Sequence, residues 1–269
     1  MGGDGISRRL RAAIHAHSGF LLGAPLPATS PASAAALYYA FSPSGGVLAA
    51  KVFTDYATAF DHEVAVNLQL EIGYSVVKFI SSFSVIEHGD DDGSISKLGI
   101  IIMPFFPQNA ADFLQYQSPM CLNTITVIAR DCIRALHHLH SKNYCYGDMK
   151  PTNIMLQGGE QGRAMLVDFG ATVALGAPLL EATARYCLDI DVSVGTEMVD
   201  WVCLGSTLAE LSGFDLGAYC TTKSLIHDVE EAPTMDTTLQ EMIVSLLRGH
   251  IVDKPVLSAL LERAGSFSY

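Results

Sequence analysis

Tyr146-Gly-Asp-Met-Lys-Pro-Thr-Asn153, followed fifteen residues on by Asp168-Phe-Gly170, is the stretch on which the reading of this chain turns. Asp148 and Asn153 lie five apart on one loop, and Asp168 closes the short apolar run Ala164-Met-Leu-Val167. Transfer of a phosphoryl group from a nucleotide needs a carboxylate near the attacking hydroxyl. It also needs oxygen ligands for a divalent metal near the terminal phosphates. Asp148 is the candidate for the first task, and Asn153 with Asp168 for the second. Lys150 adds positive charge where the transferred group develops negative charge. A polar loop and an ordinary turn is the plainer reading, but the joint pattern is hard to reach by chance.

Upstream of this stretch the chain reads as strands, and around it as helices. Leu37-Tyr-Tyr-Ala-Phe41 and Val47 to Phe53 are apolar runs separated by Ser42-Pro-Ser-Gly-Gly46, a hairpin signal. Val76 to Ile86 and Leu98 to Met103 form a second pair across Gly89-Asp-Asp-Asp-Gly93, read as a solvated turn rather than a metal site. Helical spacing then takes over in Ile125, Ile128, Cys132, Ile133, Leu136 and Leu139. It recurs in Met198, Trp201, Leu204, Leu208 and Leu211, and in Leu239, Met242, Ile243, Leu246 and Leu247. Ile154-Met-Leu156 and Ala164 to Val167 are short β-like pieces between the first two helices. A β-rich front and a helical back suggest two lobes, with the break near Pro104 to Pro107.

Composition narrows the class. With 49% apolar and 16% charged residues among 269, the chain has the means to form a sizeable core. Sixteen basic against 28 acidic residues give −12, which argues against nucleic acid or an anionic membrane as partner and suits a basic protein substrate. The six cysteines form no CxxC pair and read as buried thiols of a reducing compartment. No apolar run reaches the roughly 18 residues of a membrane span. Between Asp4 and Asp55 there is no acidic residue, and Arg8, Arg9 and Arg11 sit in an Ala-rich stretch. A short basic helix is preferred there over an organellar transit peptide. Gly2 does not complete a myristoylation signal, because position 6 is Ile6.

From about Leu37 to Leu261 these motifs resemble the eukaryotic protein kinase family. The resemblance implies an α+β, bilobal protein-kinase-like fold with a small β-rich N-lobe and a larger helical C-lobe. Residues 1–18 are then an N-terminal extension and 19–269 the domain, with N-lobe about 19–103, hinge about 104–107 and C-lobe about 108–269. Asp148 is implied as catalytic base with Lys150 beside it. Ala49-Ala-Lys51 resembles the strand whose lysine contacts the α/β-phosphates, and Glu63 its glutamate partner. Met103 takes the place before the hinge, where the Pro104 carbonyl and the Phe106 N–H would hold adenine. Leu37, Ala49 and Met155 complete the nucleotide-binding set, and Asn153 and Asp168 would hold the metal. The implied cofactors are ATP and Mg (or Mn). Asp200, in Asp200-Trp-Val-Cys-Leu-Gly205, resembles the aspartate that anchors the catalytic-loop backbone.

Several positions depart from the family. No glycine lies between Ala24 and Ser44, where a phosphate-covering loop belongs, and Ser30-Pro-Ala-Ser-Ala-Ala35 stands there instead. Glycines at Ala32 and Ala35 would on this view raise the rate. Gly147 replaces an arginine that binds an activation-loop phosphate, and Tyr146 takes the packing place of a histidine. The Ala-Pro-Glu motif is absent, and Asp189 with Lys254 is a candidate substitute ion pair. Because Gly147 offers no phosphate ligand, loss of Thr172 and Thr183 is expected to leave activity unchanged.

Three readings follow. The first is a serine/threonine protein kinase acting on a protein hydroxyl. The second is a pseudokinase, a nucleotide-binding scaffold or regulator whose partner is unknown. The third is a small-molecule phosphotransferase of the aminoglycoside kind, whose loop Gly147-Asp148 resembles. The expected setting is intracellular and cytoplasmic, without nucleic acid or membrane.

Overall fold

Val47–Phe53 has every second side chain on one face, and its register with its neighbours shows what each face is for. In the computed structural model, which describes residues 8–26, 35–53, 58–88, 95–116, 118–158, 162–179 and 181–250, this run is one of five strands. They are β1 (Leu21–Pro25), β2 (Ala35–Phe41), β3 (Val47–Phe53), β4 (Ser81–His88) and β5 (Ile95–Pro104). The sheet is antiparallel in the order β1-β2-β3-β5-β4. Across β3, Lys51 faces Leu37 and Ile101, and Ala49 faces Tyr39 and Met103. Directly opposed residues share a face, so Leu37, Ala49, Lys51 and Met103 lie on one side of the sheet.

The opposite side is the core. Tyr38, Ala40, Ala50, Val52, Val85, Leu98, Ile100 and Ile102 pack there with Leu10 and Ile14 of the helix α1 (Arg8–Ser18). Residues 8–18, set apart as an extension by the motifs alone, therefore share one core with the sheet. On that helix Arg8 is exposed, Arg11 is partly buried and Ile14 is fully buried.

A second helix, α2 (Ala59–Gln69), buries Phe60, Glu63, Val66 and Asn67, the three- and four-residue spacing of one helix face. Phe60 lies on the backbone of Gly99, where a Cβ would come within 2.3 Å of the ring. Phe60 also meets Phe53 edge-on at 5.8 Å. The apolar run from Val76 does not become strand until Ser81. Asn67 explains the delay: its Nδ2 donates to the Val77 carbonyl at 2.8 Å, and its Oδ1 accepts the Phe79 N–H at 3.1 Å. Those backbone groups are thereby taken from any sheet ladder.

These elements make one compact unit, the described residues up to Gln69 with those of Val77–Phe105. The other unit holds Leu70–Val76 and the described residues from Phe106 onward. The chain passes between the two units at Gln69/Leu70, at Val76/Val77 and at Phe105/Phe106.

The second unit is built on the helices α3 (Ala110–Tyr116), α4 (Leu122–Ser141), α5 (Ala184–Cys187), α6 (Glu197–Leu211), α7 (Thr222–Glu230) and α8 (Thr237–Leu247). The spacing in α4 and α8 reads correctly, since all the apolar positions named above are buried. In α6, Trp201, Leu204, Leu208 and Leu211 are buried but Met198 is exposed. That helix is buried on nearly all sides from Val199 on, so periodicity cannot choose a face for its first turn. Two small antiparallel pairs, β6 (Tyr144–Cys145) with β9 (Val173–Ala174) and β7 (Ile154–Gln157) with β8 (Arg163–Leu166), flank the loops that carry Asp148 and Asp168.

Four of the cysteines (Cys132, Cys145, Cys187, Cys203) are buried free thiols, while Cys121 is partly exposed and Cys220 exposed. Among the described residues no helix is long and apolar enough to cross a membrane.

Candidate active site

In the first unit the strand β3 carries Lys51 at a position where a lone ammonium would be costly, since its side chain is only 9% exposed. Glu63 of α2 answers it: Nζ of Lys51 lies 2.7 Å from Oε2 of Glu63, a carboxylate 1% exposed. Burial of both partners makes this pair a fixed feature rather than a solvated surface contact. Leu37, Ala49 and Met103 lie on the same sheet face as Lys51, as the register requires. Pro104 ends β5, and Phe106 belongs to the second unit.

In the second unit the residues of the decisive stretch converge on the Asp148 carboxylate. Asn153, closing a 3-10 turn that starts at Pro151, donates from Nδ2 to the Asp148 carbonyl and to its Oδ2, each at 2.9 Å. Lys150 Nζ lies 2.6 Å from Oδ2. Thr183 Oγ donates to Oδ1 at 2.7 Å and accepts from Lys150 Nζ at 3.1 Å. A closed triangle of Asp148, Lys150 and Thr183 results. Met155 sits in β7 opposite Met165.

Thr183 is the residue the sequence reading misplaced. The sequence groups it with Thr172 as a dispensable loop hydroxyl, yet it touches both Asp148 and Lys150. Thr172 is not dispensable either: fully buried, it donates from its hydroxyl to the Tyr146 carbonyl at 3.2 Å. Loss of either hydroxyl therefore removes a hydrogen bond of the loop that carries Asp148. No local motif marks Thr183; only the fold returns it to Asp148 across 35 residues.

The loop's shape is held from below by Asp200 of α6, which is fully buried. Its Oδ2 accepts the Tyr146 N–H at 2.8 Å and its Oδ1 the Gly147 N–H at 2.9 Å, while His140 Nε2 lies 2.8 Å from Oδ2. Gly147 adopts φ +83, and a Cβ there would meet the Ala171 carbonyl oxygen and a Leu179 methyl at 2.8 Å each. The missing arginine is thus more than a lost phosphate ligand. Any side chain here would strain the positive φ and force the Ala171 backbone or Leu179 to shift.

Tyr146 does fill a packing role, meeting Phe169 edge-on with centroids 6.0 Å apart. Its hydroxyl donates to the Val167 carbonyl. Burial, and then the charges of Asp148 and Asp168, push its pKa well up, which keeps the O–H a donor. Asp168 follows at φ +61, a left-handed conformation that is uncommon outside glycine, and its Oδ1 accepts the Gly170 N–H at 3.3 Å.

The donor set fits a hard divalent cation held together with nucleotide phosphates. With Asn153 Nδ2 turned to Asp148, its side-chain carbonyl oxygen is the atom suited to a metal, and Asp168 would add a carboxylate. Among the described residues no cluster of three or more His, Cys, Asp or Glu side chains is placed to bind a metal by itself. Mg²⁺ does not need one, because it binds through one or two protein groups plus phosphates and water.

Lys254 lies outside the described residues, as do the aspartates of 90–92 and most of the segment joining β1 to β2. Asp189 accepts the Thr222 N–H at 2.7 Å, a bond that lowers its pKa.

One unit thus carries a sheet lysine locked to a helix glutamate, and the other a loop aspartate served by lysine, asparagine and threonine. The protein kinase domain matches residues 47–246, well over half of the sequence, and the chain belongs to that family. It is similar to the probable serine/threonine-protein kinase glkA of Dictyostelium discoideum, 29% identical over 122 residues, which is 43% of this chain and 25% of that protein. It is also similar to the serine/threonine-protein kinase Sgk2 of Rattus norvegicus, 35% identical over 85 residues, 29% of this chain and 22% of the relative. A third relative is the homeodomain-interacting protein kinase 1 of Caenorhabditis elegans, 30% identical over 120 residues, 41% of this chain and 14% of the relative. The matches cover a third or less of the relatives' own lengths.

Proposed function

We propose that this chain is a serine/threonine protein kinase that moves the γ-phosphate of ATP to a protein hydroxyl. The observation that carries the reading is the Asp148 carboxylate, fixed by Asn153, Lys150 and Thr183 at 2.6–2.9 Å. A side chain so held is oriented before substrate arrives, which is the main requirement of a reaction that depends on positioning. Asp148 accepts the proton of the attacking hydroxyl as the new O–P bond forms and the bond to the ADP oxygen breaks. Lys150 balances the negative charge on the transferred group. Lys51, held by Glu63, would take the α/β-phosphates, and Asn153 and Asp168 the metal, Mg or Mn. That ion would neutralise the phosphate oxygens.

A second reading, a pseudokinase that binds nucleotide as a scaffold, is favoured by one feature. The connection between β1 and β2 contains no glycine, so close wrapping of phosphates by its backbone is impeded. Both readings require metal-dependent nucleotide binding. Mg-ATP should raise the melting temperature of the protein, and the rise should shrink in Lys51→Met and in Asp168→Ala. Equal shifts in wild type and both variants would remove the site assignment.

A further inference from the structure

Two buried side chains of the second unit take no part in the site described so far, and they lie against each other. Cys187 closes the short helix α5, and Cys203 sits in the middle of α6. Their sulfurs are 3.5 Å apart, and each residue is 2% exposed. A disulfide holds its sulfurs at about 2.05 Å, so an approach of about 1.5 Å separates these thiols from a bond. Contact also makes the two unequal. The hydrogen bond with Cys203 lowers the Cys187 pKa in spite of burial, whereas the same bond, and then burial, push Cys203 up. Cys187 is therefore the sulfur that ionises first, with a thiol partner already beside it. A third buried thiol nearby, Cys145, is directed elsewhere, toward the Thr196 carbonyl at 3.4 Å.

The helices that carry the pair differ in how firmly they are held. Helix α6 is buried on nearly all sides from Val199 on, and its Thr207 hydroxyl bonds to the Cys203 carbonyl at 2.8 Å. Helix α5 is one turn long and Cys187 is its only buried residue. Its side-chain bonds to α6 run from Arg185 and Tyr186 to Glu210, at 2.6 and 2.7 Å. The next residue, Leu188, carries φ +53, a left-handed conformation that strains a bulky side chain. A single outer turn beside a strained residue is a segment that opens locally, which gives an oxidant its way to Cys187.

We propose that Cys187 and Cys203 are a modification site, a dithiol that a peroxide converts to a disulfide and that a thiol reductant restores. The Cys187 thiolate attacks one peroxide oxygen, the O–O bond breaks and hydroxide leaves, giving a sulfenic acid. Cys203 then attacks that sulfur, the S–O bond breaks, and the oxygen departs as water with the Cys203 proton. Each sulfur gives up one electron, and the hydroxide takes the proton that Cys187 released, so the peroxide ends as water. A reductant thiol reverses the bond by attack on either sulfur and becomes a disulfide itself. Closure reaches the site because Thr183, which donates to Asp148 and accepts from Lys150, is the N-cap residue of α5. With α6 fixed, α5 makes the approach, and Thr183 moves with it. This consequence rests on the proposed phosphoryl transfer, whereas the disulfide does not.

The test treats folded wild type with hydrogen peroxide, alkylates the remaining thiols under denaturing conditions and maps the cysteine peptides by mass. The expected product joins Cys187 to Cys203, lacks two hydrogens and disappears with dithiothreitol. Neither Cys187→Ser nor Cys203→Ser should yield it; Cys187 lies on the outer turn, so its variant decides if Cys203→Ser does not fold. Recovery of both cysteines as alkylated thiols, or of either joined to Cys145, overturns the proposal. Oxidised wild type should transfer phosphate about 10- to 100-fold more slowly, the scale of a site displaced by about 1 Å. Dithiothreitol should restore the rate, and peroxide should leave that of Cys187→Ser unchanged. A cross-link without any change in rate would refute the link to Thr183. Reduced wild type that transfers no phosphate would count against the proposed function, and the peptide map would still decide the disulfide.

Discussion

Asp148→Asn should reduce phosphoryl transfer by about 10²- to 10⁴-fold, the contribution of a positioned general base. The amide keeps the size of the carboxylate but loses its basicity. It also presents an N–H₂ in place of one carboxylate oxygen: toward Lys150, 2.6 Å from Oδ2, this sets donor against donor, and toward Thr183, 2.7 Å from Oδ1, it reverses the hydrogen bond. Mg-ATP affinity should change little, because the proposed phosphate and metal groups are Lys51, Asn153 and Asp168. Initial rates with labelled ATP, alongside nucleotide binding, separate the two effects. A rate unchanged by the substitution would place the base elsewhere.

Asp200→Ala should destabilise the second unit by about 3–5 kcal/mol, the cost of leaving buried hydrogen-bonding groups without a partner. The carboxylate takes the N–H groups of Tyr146 and Gly147 and contacts His140, all in a place without water access. Its removal also frees the φ +83 turn at Gly147, the residue immediately before the catalytic candidate. Denaturant titration should therefore show an earlier midpoint, and any protein that remains folded should transfer phosphate slowly. Asp200→Asn keeps one acceptor oxygen and should fall between wild type and alanine. A midpoint equal to wild type in the alanine variant would contradict the anchoring role.

The residues that the sequence revealed and those it concealed differ in how locally they are specified. Asp148, Lys150 and Asn153 sit within one loop, so their spacing alone shows that they can meet. The Lys51–Glu63 pair spans a strand and a helix only 12 residues apart, and the two side chains meet at 2.7 Å. Thr183 was invisible because nothing near it in the chain marks a site. Strand β1 was missed because Leu21–Pro25 is short, holds Gly23 and ends in proline, and its pairing is broken by a bulge. The boundary of β2 also alters one design. Ala35 lies opposite Phe53 inside the strand, so a glycine there would weaken the sheet rather than loosen the connection, and only Ala32 stays a candidate for that change. The start of β4 was misread from its apolar run, since the side chain of Asn67 competes for the backbone at Val77 and Phe79.

The central claim, that this member of the protein kinase family transfers phosphate to a protein hydroxyl, is tested most directly by following labelled phosphate. Purified protein, labelled ATP, Mg²⁺ or Mn²⁺ and a basic protein substrate are combined, and the amino acids that carry label are identified after hydrolysis. The account predicts phosphoserine or phosphothreonine, formed by wild type and lost with Asp148→Asn. Clear Mg-ATP binding with no labelled residue in any protein present would contradict it and leave the chain a nucleotide-binding scaffold.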